Sequence, residues 1–375
     1  MSSISFIPLG GAQEVGASCY FLQLGTSNIL LDCGMGYKNK LAYGPNLYPL
    51  LQHGIDSLSQ LQQLYISHAH SDHVGYLPQL LSQIPQLQVY MTPITKSLTE
   101  HRLYENFRSS SSSKEDYVLG LDTQLHHIHQ VSYFSTLSFP QYKVSFFPAG
   151  HIPGAMMTVF HYKGKNILYT GDYSVGEKGY LLPSNLKIDL AIVCALHAKE
   201  PSYRRDPYQL QNRIQQALAA LDQGHSVYFQ VREPVRSLEI LEALNQALQG
   251  TTCYPIYLDQ QVVEAVNIME SMHIKVLESH NYTALPLLPR QPHIILGSSP
   301  LSALAKNYTV FNSNYTLHED YQEMESFLRK LNPRQALLVH CSQGNDQSTL
   351  EQSLLRSPDC HTQIIYPQVG EKYQF

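Results

Sequence analysis

Four side chains that can bind a metal ion or transfer a proton lie within six positions of "YISHAHSDHVGYL", residues 65–77. They are His68, His70, Asp72 and His73, and they follow an apolar run typical of a buried strand. Alternate residues of an extended segment point the same way, so His68 and His70 can bind one ion together. Asp72 and His73 begin the next helix and can face a neighbouring ion, although Asp72 could instead cap that helix. Imidazole and carboxylate groups are zinc ligands, so the spacing predicts half of a metal site.

Further candidate ligands stand at the ends of other predicted strands. His151 follows "KVSFFPAG" and Asp172 follows "NILYTG". A carboxylate at position 172 could bridge two ions about 3.5 to 4 Å apart, which together activate a water and stabilise a displaced phosphate oxygen. Alone, Asp172 also fits an ordinary Gly-Asp turn. Together these residues predict a dinuclear metal site.

The elements that position these residues are strands of two kinds. The hairpins "CYFLQL"/"NILLDCG" and "MTVFHY"/"NILYTGD" end at Asp32 and Asp172, which indicates two similar halves. From about Pro201 to Ser299, helices alternate with strands, which predicts a parallel α/β unit. The strands "QALLVH" and "TQIIYP" resume the earlier type, so we interpret the α/β unit as an insertion.

Composition excludes several classes of protein. With 375 residues the chain can form two domains, or one domain with an insertion. A formal net charge of −5 argues against binding nucleic acid over a broad basic surface, so any site for a polyanion must be local. No apolar run reaches the ~18 residues of a membrane span, and the N-terminus lacks a signal-peptide pattern. We expect a cytoplasmic protein with no membrane association.

Several motifs resemble a known family in order and spacing. They are "LGGAQEVGASCY", "LLDCG", "SHAHSDHVGYLP", "FFPAGHIPGA", "ILYTGDYS" and "NYTLHEDYQEMESFLRKLNPRQALLVHC". These resemble the metallo-β-lactamase fold as found in the β-CASP nucleases, such as RNase J and the cleavage and polyadenylation endonuclease. The resemblance implies an αββα sandwich, formed by residues 1–198 and 309–375, with a reduced β-CASP-like α/β domain inserted at 199–308.

The resemblance also implies roles for individual residues. His68, His70 and His151 would bind the first zinc ion; Asp72, His73 and His340 would bind the second; Asp172 would bridge the two. Catalytic roles would fall to Asp72 and His318, the latter as the acid that protonates the leaving oxygen, and Asp32 would be a buried carboxylate behind the ligands. The alternative for His318 is a surface residue at a helix start. A histidine at position 340 is typical of the RNA-cutting members.

The chain departs from the family pattern at two places. The family's "D-x-L-I-x-E-S-T-Y-G" is "DLAIVCALHA" here, so Cys194 stands where a Glu holds the acid histidine. A thiol cannot supply the same charged acceptor, and His197 or Glu200 are the candidates to replace it. Two elements of the β-CASP pattern are missing, one after "HIILGSS" and one before the motif that contains His318. Arg236, in the recognisable "VRSLEIL", is our candidate for substrate binding because arginine pairs well with phosphate.

Three functions are compatible with these residues. The first is a zinc-dependent hydrolase that cleaves single-stranded RNA by attack of a metal-activated water. The second is a dinuclear-zinc hydrolase of a small nucleotide or another ester, which the acidic net charge and reduced insertion favour. The third is a non-catalytic scaffold subunit of an RNA-processing complex, which Cys194 favours and the intact ligand set disfavours. By resemblance alone, a homodimer formed through the insertion is also expected.

Overall fold

The chain forms two compact units. One contains Met1–Arg204 with Leu317–Phe375, and the other contains Arg205–Thr316. The computed structural model describes residues 4–108, 128–174, 182–206, 208–231, 234–248, 254–272, 282–284, 291–298, 308–313, 318–341, 348–356 and 358–375.

The boundaries between the units differ from the predicted divisions after residues 198 and 308. The strand Tyr308–Asn312, most of which lies beyond the predicted division at residue 308, pairs in parallel with Ser226–Gln230 and belongs to the second unit. Its backbone hydrogen bonds fix it to the inserted sheet. The divisions therefore fall after Arg204 and Thr316.

One sheet of the first unit has seven strands among the described residues. Its spatial order is β21 (Tyr373–Gln374), β1 (Ile4–Gly10), β2 (Cys19–Leu24), β3 (Ser27–Leu31), β6 (Gln63–Tyr65), β7 (Gln88–Met91) and β8 (His129–Gln130). Between β3 and β6 the chain adds a small hairpin of β4 (Gly36–Lys38) and β5 (Leu41–Tyr43). Strands β3 and β6 pair in parallel. Their carboxyl ends therefore meet at one edge, where Asp32 and His68 follow.

The second sheet of this unit also has seven strands in the described part of the chain. Its spatial order is β20 (Gln363–Ile365), β19 (Gln335–Val339), β13 (Leu190–Cys194), β12 (Lys165–Tyr169), β11 (Met156–Tyr162), β10 (Lys143–Pro148) and β9 (Thr136–Ser138). Strands β12, β13, β19 and β20 pair in parallel. Their carboxyl ends also share an edge, and Asp172 and His340 follow two of them.

Strand periodicity explains how the sheets pack. In β2, Tyr20 and Leu22 belong to a buried cluster that also contains Val144 and Ile167 of the second sheet. Phe21, between them in sequence, belongs to a different cluster that includes residues of nearby helices. Successive residues of a strand point to opposite faces, so the first sheet packs against the second sheet on one face and against helices on the other. The predicted sandwich of two sheets is confirmed.

The α-helices are α1 (Tyr48–Gln52), α2 (Ser71–Val74), α3 (Leu77–Gln83), α4 (Pro93–Arg108), α5 (Gln209–Asp222), α6 (Ser237–Leu248), α7 (Gln260–Ser271), α8 (Tyr321–Leu331) and α9 (Ser348–Leu355). Short 3-10 helices cover Leu58–Gln60 and Pro234–Arg236. Within the described ranges, none of the helices has the length and apolar character needed to cross a bilayer.

The second unit is a parallel sheet with amphipathic helices, as the sequence predicts. Its strands, in spatial order, are β16 (Tyr282–Ala284), β15 (Ile256–Leu258), β17 (Ile294–Gly297), β14 (Ser226–Gln230) and β18 (Tyr308–Asn312). Every pairing among them is parallel. Helix α6 buries Leu238, Leu241 and Leu244, which repeat at the spacing of one helix face.

Candidate metal centre

The first group of candidate ligands, called the first metal group below, consists of His68, His70, His151 and Asp172. His70 Nδ1 lies 3.1 Å from His68 Nε2 and 3.2 Å from His151 Nε2. Asp172 Oδ2 lies 3.7 Å from His68 Nε2 and 3.6 Å from His151 Nε2. Four donor atoms of these side chains therefore face a common point.

The second metal group consists of Asp72, His73 and His340, together with the other oxygen of Asp172. His73 Nε2 lies 3.3 Å from Asp172 Oδ1 and 3.9 Å from Asp72 Oδ2. His340 Nε2 lies 3.7 Å from Asp72 Oδ2. The two oxygens of Asp172 therefore face different groups, which is the arrangement a bridging carboxylate requires.

The spacing and the unsatisfied atoms fit metal ions. Ligands at about 2.1 Å from a tetrahedral zinc ion lie about 3.4 Å from one another, and the distances above scatter around that value. Asp172 Oδ1 and His73 Nε2 are buried without a hydrogen-bond partner among the described residues. Nor is Asp72 or Asp172 ion-paired with a Lys or Arg in the described part of the chain. Buried polar atoms are rarely left in this state unless an ion or water satisfies them.

The start of helix α2 orients Asp72 and His73. His70 occupies the N-cap position and makes no side-chain capping hydrogen bond. Asp72 lies in the first turn, where the positive end of the helix dipole favours a carboxylate, and it does not cap the helix. Gly34 packs against this turn so closely that an added Cβ would lie 1.7 Å from the Asp72 carbonyl oxygen. Only glycine fits at position 34 without displacing the loop.

Asp32 is fully buried and forms hydrogen bonds with both Ser67 and His73. Its Oδ2 accepts a hydrogen bond from His73 Nδ1 at 2.7 Å and from Ser67 Oγ at 2.7 Å. Its Oδ1 accepts from the Ser67 backbone N–H at 2.6 Å, and Tyr169 donates its hydroxyl to Oδ2. Because Nδ1 of His73 carries the donated proton, Nε2 is left with its lone pair facing the second metal group.

The other histidines are supported by hydroxyl groups. His68 Nδ1 lies 3.0 Å from Ser67 Oγ, and His340 Nδ1 lies 3.1 Å from Ser18 Oγ. Each contact leaves Nε2 of the histidine directed at its group. His340 and Asp32 both have left-handed backbone conformations, with φ of 54° and 58°. Non-glycine residues adopt this conformation at a cost and are found in it at functional sites.

Burial and charge act differently on the histidines. Burial lowers the pKa of His68 well below its usual value and that of His70 to about 3. These imidazoles are therefore neutral at pH 7, which is the form that binds a metal. Burial also disfavours charge on His73, but Asp172, Asp32 and Asp72 outweigh it and raise the His73 pKa. The carboxylates thus stabilise positive charge at the second metal group.

His318 lies beside both groups. Its Nε2 is 3.6 Å from Asp172 Oδ2, and its ring centroid is 4.9 Å from that of His151 and 5.8 Å from that of His340. The side chain retains 22% exposure, so it borders the site and can meet an incoming molecule. It precedes helix α8, whose N-cap Asp320 forms a capping box that fixes the start of the helix. Burial lowers the His318 pKa to about 3.

The residues that depart from the family pattern have other partners. Cys194 is buried, and burial together with the Asp172 carboxylate raises the pKa of its thiol. His197 Nδ1 lies 3.1 Å from Glu200 Oε2, so the two candidate replacements for the missing Glu bind each other. Arg236 ends a 3-10 helix of the second unit, and its role in substrate binding stays a prediction.

The sequence analysis did not identify Ser18, Ser67 or Tyr169. Ser67 directly precedes His68, and Tyr169 ends the strand before Asp172, so both stand next to motifs that could have drawn attention to them. Ser18 is 322 positions from the histidine it contacts, and no local pattern marks it.

Comparison with known families identifies the superfamily of the chain. The profile of the metallo-β-lactamase superfamily matches residues 12–229, which is more than half of the sequence. The chain belongs to the metallo-β-lactamase superfamily. Members of this superfamily bind metal ions, and the two metal groups are clusters among the described residues that could do so.

Characterised relatives are similar to this metallo-β-lactamase chain in parts. Endoribonuclease ysh1 of Aspergillus fumigatus is 34% identical over 50% of this chain and 22% of its own length. Cleavage and polyadenylation specificity factor subunit 3 of Dictyostelium discoideum is 24% identical over 94% of this chain and 55% of its own. Transcription termination factor FttA of Methanosarcina mazei is 27% identical over 69% of this chain and 42% of its own length. The predicted resemblance to β-CASP nucleases is confirmed, and the chain covers less than two thirds of these relatives.

A solved structure shares the fold over the whole length. A protein of unknown function from Enterococcus faecalis V583 superposes with a TM-score of 0.67 at 14% identity, and the match covers 100% of both chains. At this identity the comparison establishes the fold alone.

Proposed function

We propose that the chain is a zinc-dependent hydrolase that cleaves phosphodiester bonds of single-stranded RNA. The observation that carries the proposal is the pair of metal groups that share Asp172 through its two oxygens. A scaffold protein does not need two adjacent groups of imidazole and carboxylate donors with one side open. The relatives named endoribonuclease and cleavage factor support RNA as the substrate.

The ligands divide into two sets that fit two zinc ions. His68, His70 and His151 would hold one ion, Asp72, His73 and His340 the other, and Asp172 would bridge them. When bound, the ions supply Lewis acidity that lowers the pKa of a water molecule and stabilises charge on a phosphate oxygen. The imidazole and carboxylate set suits zinc, and Asp32 fixes the tautomer of His73 that can bind.

His318 is the candidate acid for the leaving group. It is partly exposed and lies within 3.6 Å of Asp172, so it borders the position where a scissile phosphate would be held. Burial keeps its pKa low, and the negative charge of an arriving phosphate favours the protonated imidazole. The proton would pass from the His318 imidazole to the leaving ribose oxygen.

Cleavage of a 5′-labelled single-stranded RNA by zinc-loaded protein tests the proposal. The same reaction is run with the Asp72→Ala variant and with a DNA of matched sequence. We expect RNA cutting that the variant lacks, and the product ladder will separate internal from terminal cleavage. Zinc bound tightly in two sites, with no hydrolysis of any phosphodiester, would contradict the proposal.

A small nucleotide or another ester is the second candidate substrate. The net charge of −5 favours it, because a long polyanion gains little from an acidic protein. Competition between short nucleotides and RNA in the assay above separates the two. A cytoplasmic location, a homodimer and a phosphate contact by Arg236 remain part of the proposal.

A further inference from the structure

Lys199 is a buried lysine close to the metal centre, and only 7% of its surface is exposed. Its Nζ donates a hydrogen bond to Gln13 Oε1 at 3.3 Å and lies 5.3 Å from the centroid of the Tyr366 ring. Within the described residues no carboxylate lies at ion-pair distance from it. Burying an ammonium group without a counter-charge is costly, so its retention calls for an anion that binds there.

Lys199 lies at the same sheet edge as the ligands. It belongs to the turn that follows β13, where the Ala195 N–H donates to the Val339 carbonyl just before His340. Tyr366, under the ammonium group, follows β20. Strands β13, β19 and β20 are parallel neighbours about 4.8 Å apart, so Lys199 extends across the end of β19 toward β20. The end of β19, which His340 follows, therefore lies between the strand that Lys199 follows and the strand that Tyr366 follows.

Gln13 links Lys199 to the second metal group. The carbonyl of Ala12, its neighbour, accepts a hydrogen bond from the Cys341 N–H, and Gly11 accepts one from the His340 N–H. One loop thus contacts both the backbone of a ligand and the side chain of the lysine. The position of the ammonium group relative to His340 is fixed by this loop.

We propose that Lys199 binds the phosphate next to the scissile phosphate of a single-stranded RNA. The inference rests on the proposed function, which places the scissile phosphate at the two metal groups. An ammonium group is a compact charge with three donors, of which Gln13 uses one, so two remain for phosphate oxygens. An RNA strand carries a phosphate at every nucleotide, so a flanking phosphate is always present. Gln13 acts as a positioning residue for the lysine.

Binding measurements test this without requiring turnover. The probes are a hexanucleotide with 2′-O-methyl riboses and phosphorothioate linkages, which resist hydrolysis, and a dinucleoside monophosphate with the same chemistry. Dissociation constants are measured for the zinc-loaded protein by fluorescence anisotropy and competition, over a series of salt concentrations. The dinucleotide carries no flanking phosphate and serves as the internal control.

The variants are Lys199→Gln, Lys199→Arg and Lys163→Gln. Lys163 is an exposed lysine whose Nζ also lies 5.3 Å from a tyrosine ring centroid, that of Tyr162. It lies in the β11–β12 turn, at the opposite edge of the sheet from Asp172. Lys163→Gln therefore removes the same charge and the same type of ring contact away from the site.

We expect Lys199→Gln to raise the Kd for the hexanucleotide about tenfold or more and to leave the dinucleotide Kd unchanged. The slope of log affinity against log salt should fall by about 0.7, which corresponds to one lost phosphate contact on a single strand. Lys199→Arg should restore the slope, and Lys163→Gln should match the wild type. A purely structural role for Lys199 would not change the salt slope.

Equal hexanucleotide affinity and slope in Lys199→Gln and wild type would overturn the inference, as would failure of the wild type to bind the hexanucleotide. If Lys199→Gln does not fold, hexanucleotide binding is measured with Gln13→Ala instead. It must weaken hexanucleotide binding severalfold while keeping the slope, and unchanged binding would overturn the inference. If binding of the hexanucleotide depends on Lys199 but RNA is not cleaved, only the proposed hydrolysis is wrong. If the protein cleaves RNA but Lys199→Gln binds the hexanucleotide as tightly as the wild type, only this inference is wrong.

Discussion

The two metal groups share Asp172 but are held in place in different ways. In the first, His70 lies between His68 and His151, and the imidazole nitrogens contact one another directly. From outside, the first group is supported by a neutral hydroxyl, that of Ser67 on His68. The second also has a buried carboxylate: Asp32 holds His73, and the Ser18 hydroxyl holds His340.

The two groups differ in whether a charged side chain orients their histidine ligands. A hydrogen bond to a carboxylate is stronger than one to a neutral group, so His73 is oriented by the strongest support in the site. Support of this kind makes a histidine a better ligand and fixes its tautomer. We therefore expect the affinity of the second metal group for its ion to depend on residues that never touch the ion.

Removing the shared ligand should have the largest effect. Asp172→Ala deletes one oxygen from each group, so bound zinc should fall from two ions to fewer than one per chain. RNA cleavage should fall at least about a thousandfold, since metal catalysis supplies several kcal/mol. Elemental analysis and the labelled-RNA assay measure the two effects, and circular dichroism checks the fold. Retention of both ions would show that Asp172 does not bridge.

Removing a ligand that belongs to one group should have a smaller and selective effect. His151→Ala should lose the ion of the first metal group, and His340→Ala that of the second. Each variant should keep about one zinc per chain and lose activity by about a hundredfold or more, because the remaining ion still provides part of the Lewis acidity. Loss of both ions from either variant would mean that the groups do not bind independently.

Asp32→Asn tests the support behind the second metal group. The amide keeps the shape of the side chain but removes its charge, so affinity for the second ion should fall 10- to 100-fold, as is typical of such partners (about 1.4 to 2.7 kcal/mol). The first ion should bind as before. Zinc titration against a competing chelator resolves the two affinities, and equal weakening of both would contradict the assignment.

Ser18→Ala should have the smallest effect. It removes a neutral hydrogen bond to His340 Nδ1, worth about 1 kcal/mol, so affinity for the second ion should fall about fivefold. The matched control is Ser67→Ala, which also acts on His68 and should weaken both ions. An effect of Ser18→Ala as large as that of Asp32→Asn would remove the distinction between charged and neutral support.

Much of the site could be predicted from the sequence because its parts lie at the ends of strands. Each apolar run that stops at His68, His151, Asp172 or His340 carries its own local signal, and parallel pairing brings such ends to one edge. The sandwich and the inserted parallel sheet were predictable for the same reason.

The support behind the ligands could not be predicted in this way. Ser18 meets His340 only because β1, β2 and β19 fold together, and serine is too common in loops for its position to be informative. The division between the two units, which lies after Thr316 and not at residue 308, was hard to predict for a related reason. Strand β18 is short and half-buried, so its sequence does not show which sheet it joins, and backbone pairing with β14 decides the matter.

The order of the ligands along the chain has a consequence for synthesis. The residues of the first metal group all precede position 173, whereas the second also requires His340, which follows the inserted unit. Segments that emerge first are free to fold first. During synthesis the ligands proposed for one ion therefore become available before those proposed for the other, and a chain that stops inside the second unit would lack His340. The proposed hydrolysis would thereby depend on translation of the whole inserted unit and of the strand that follows it.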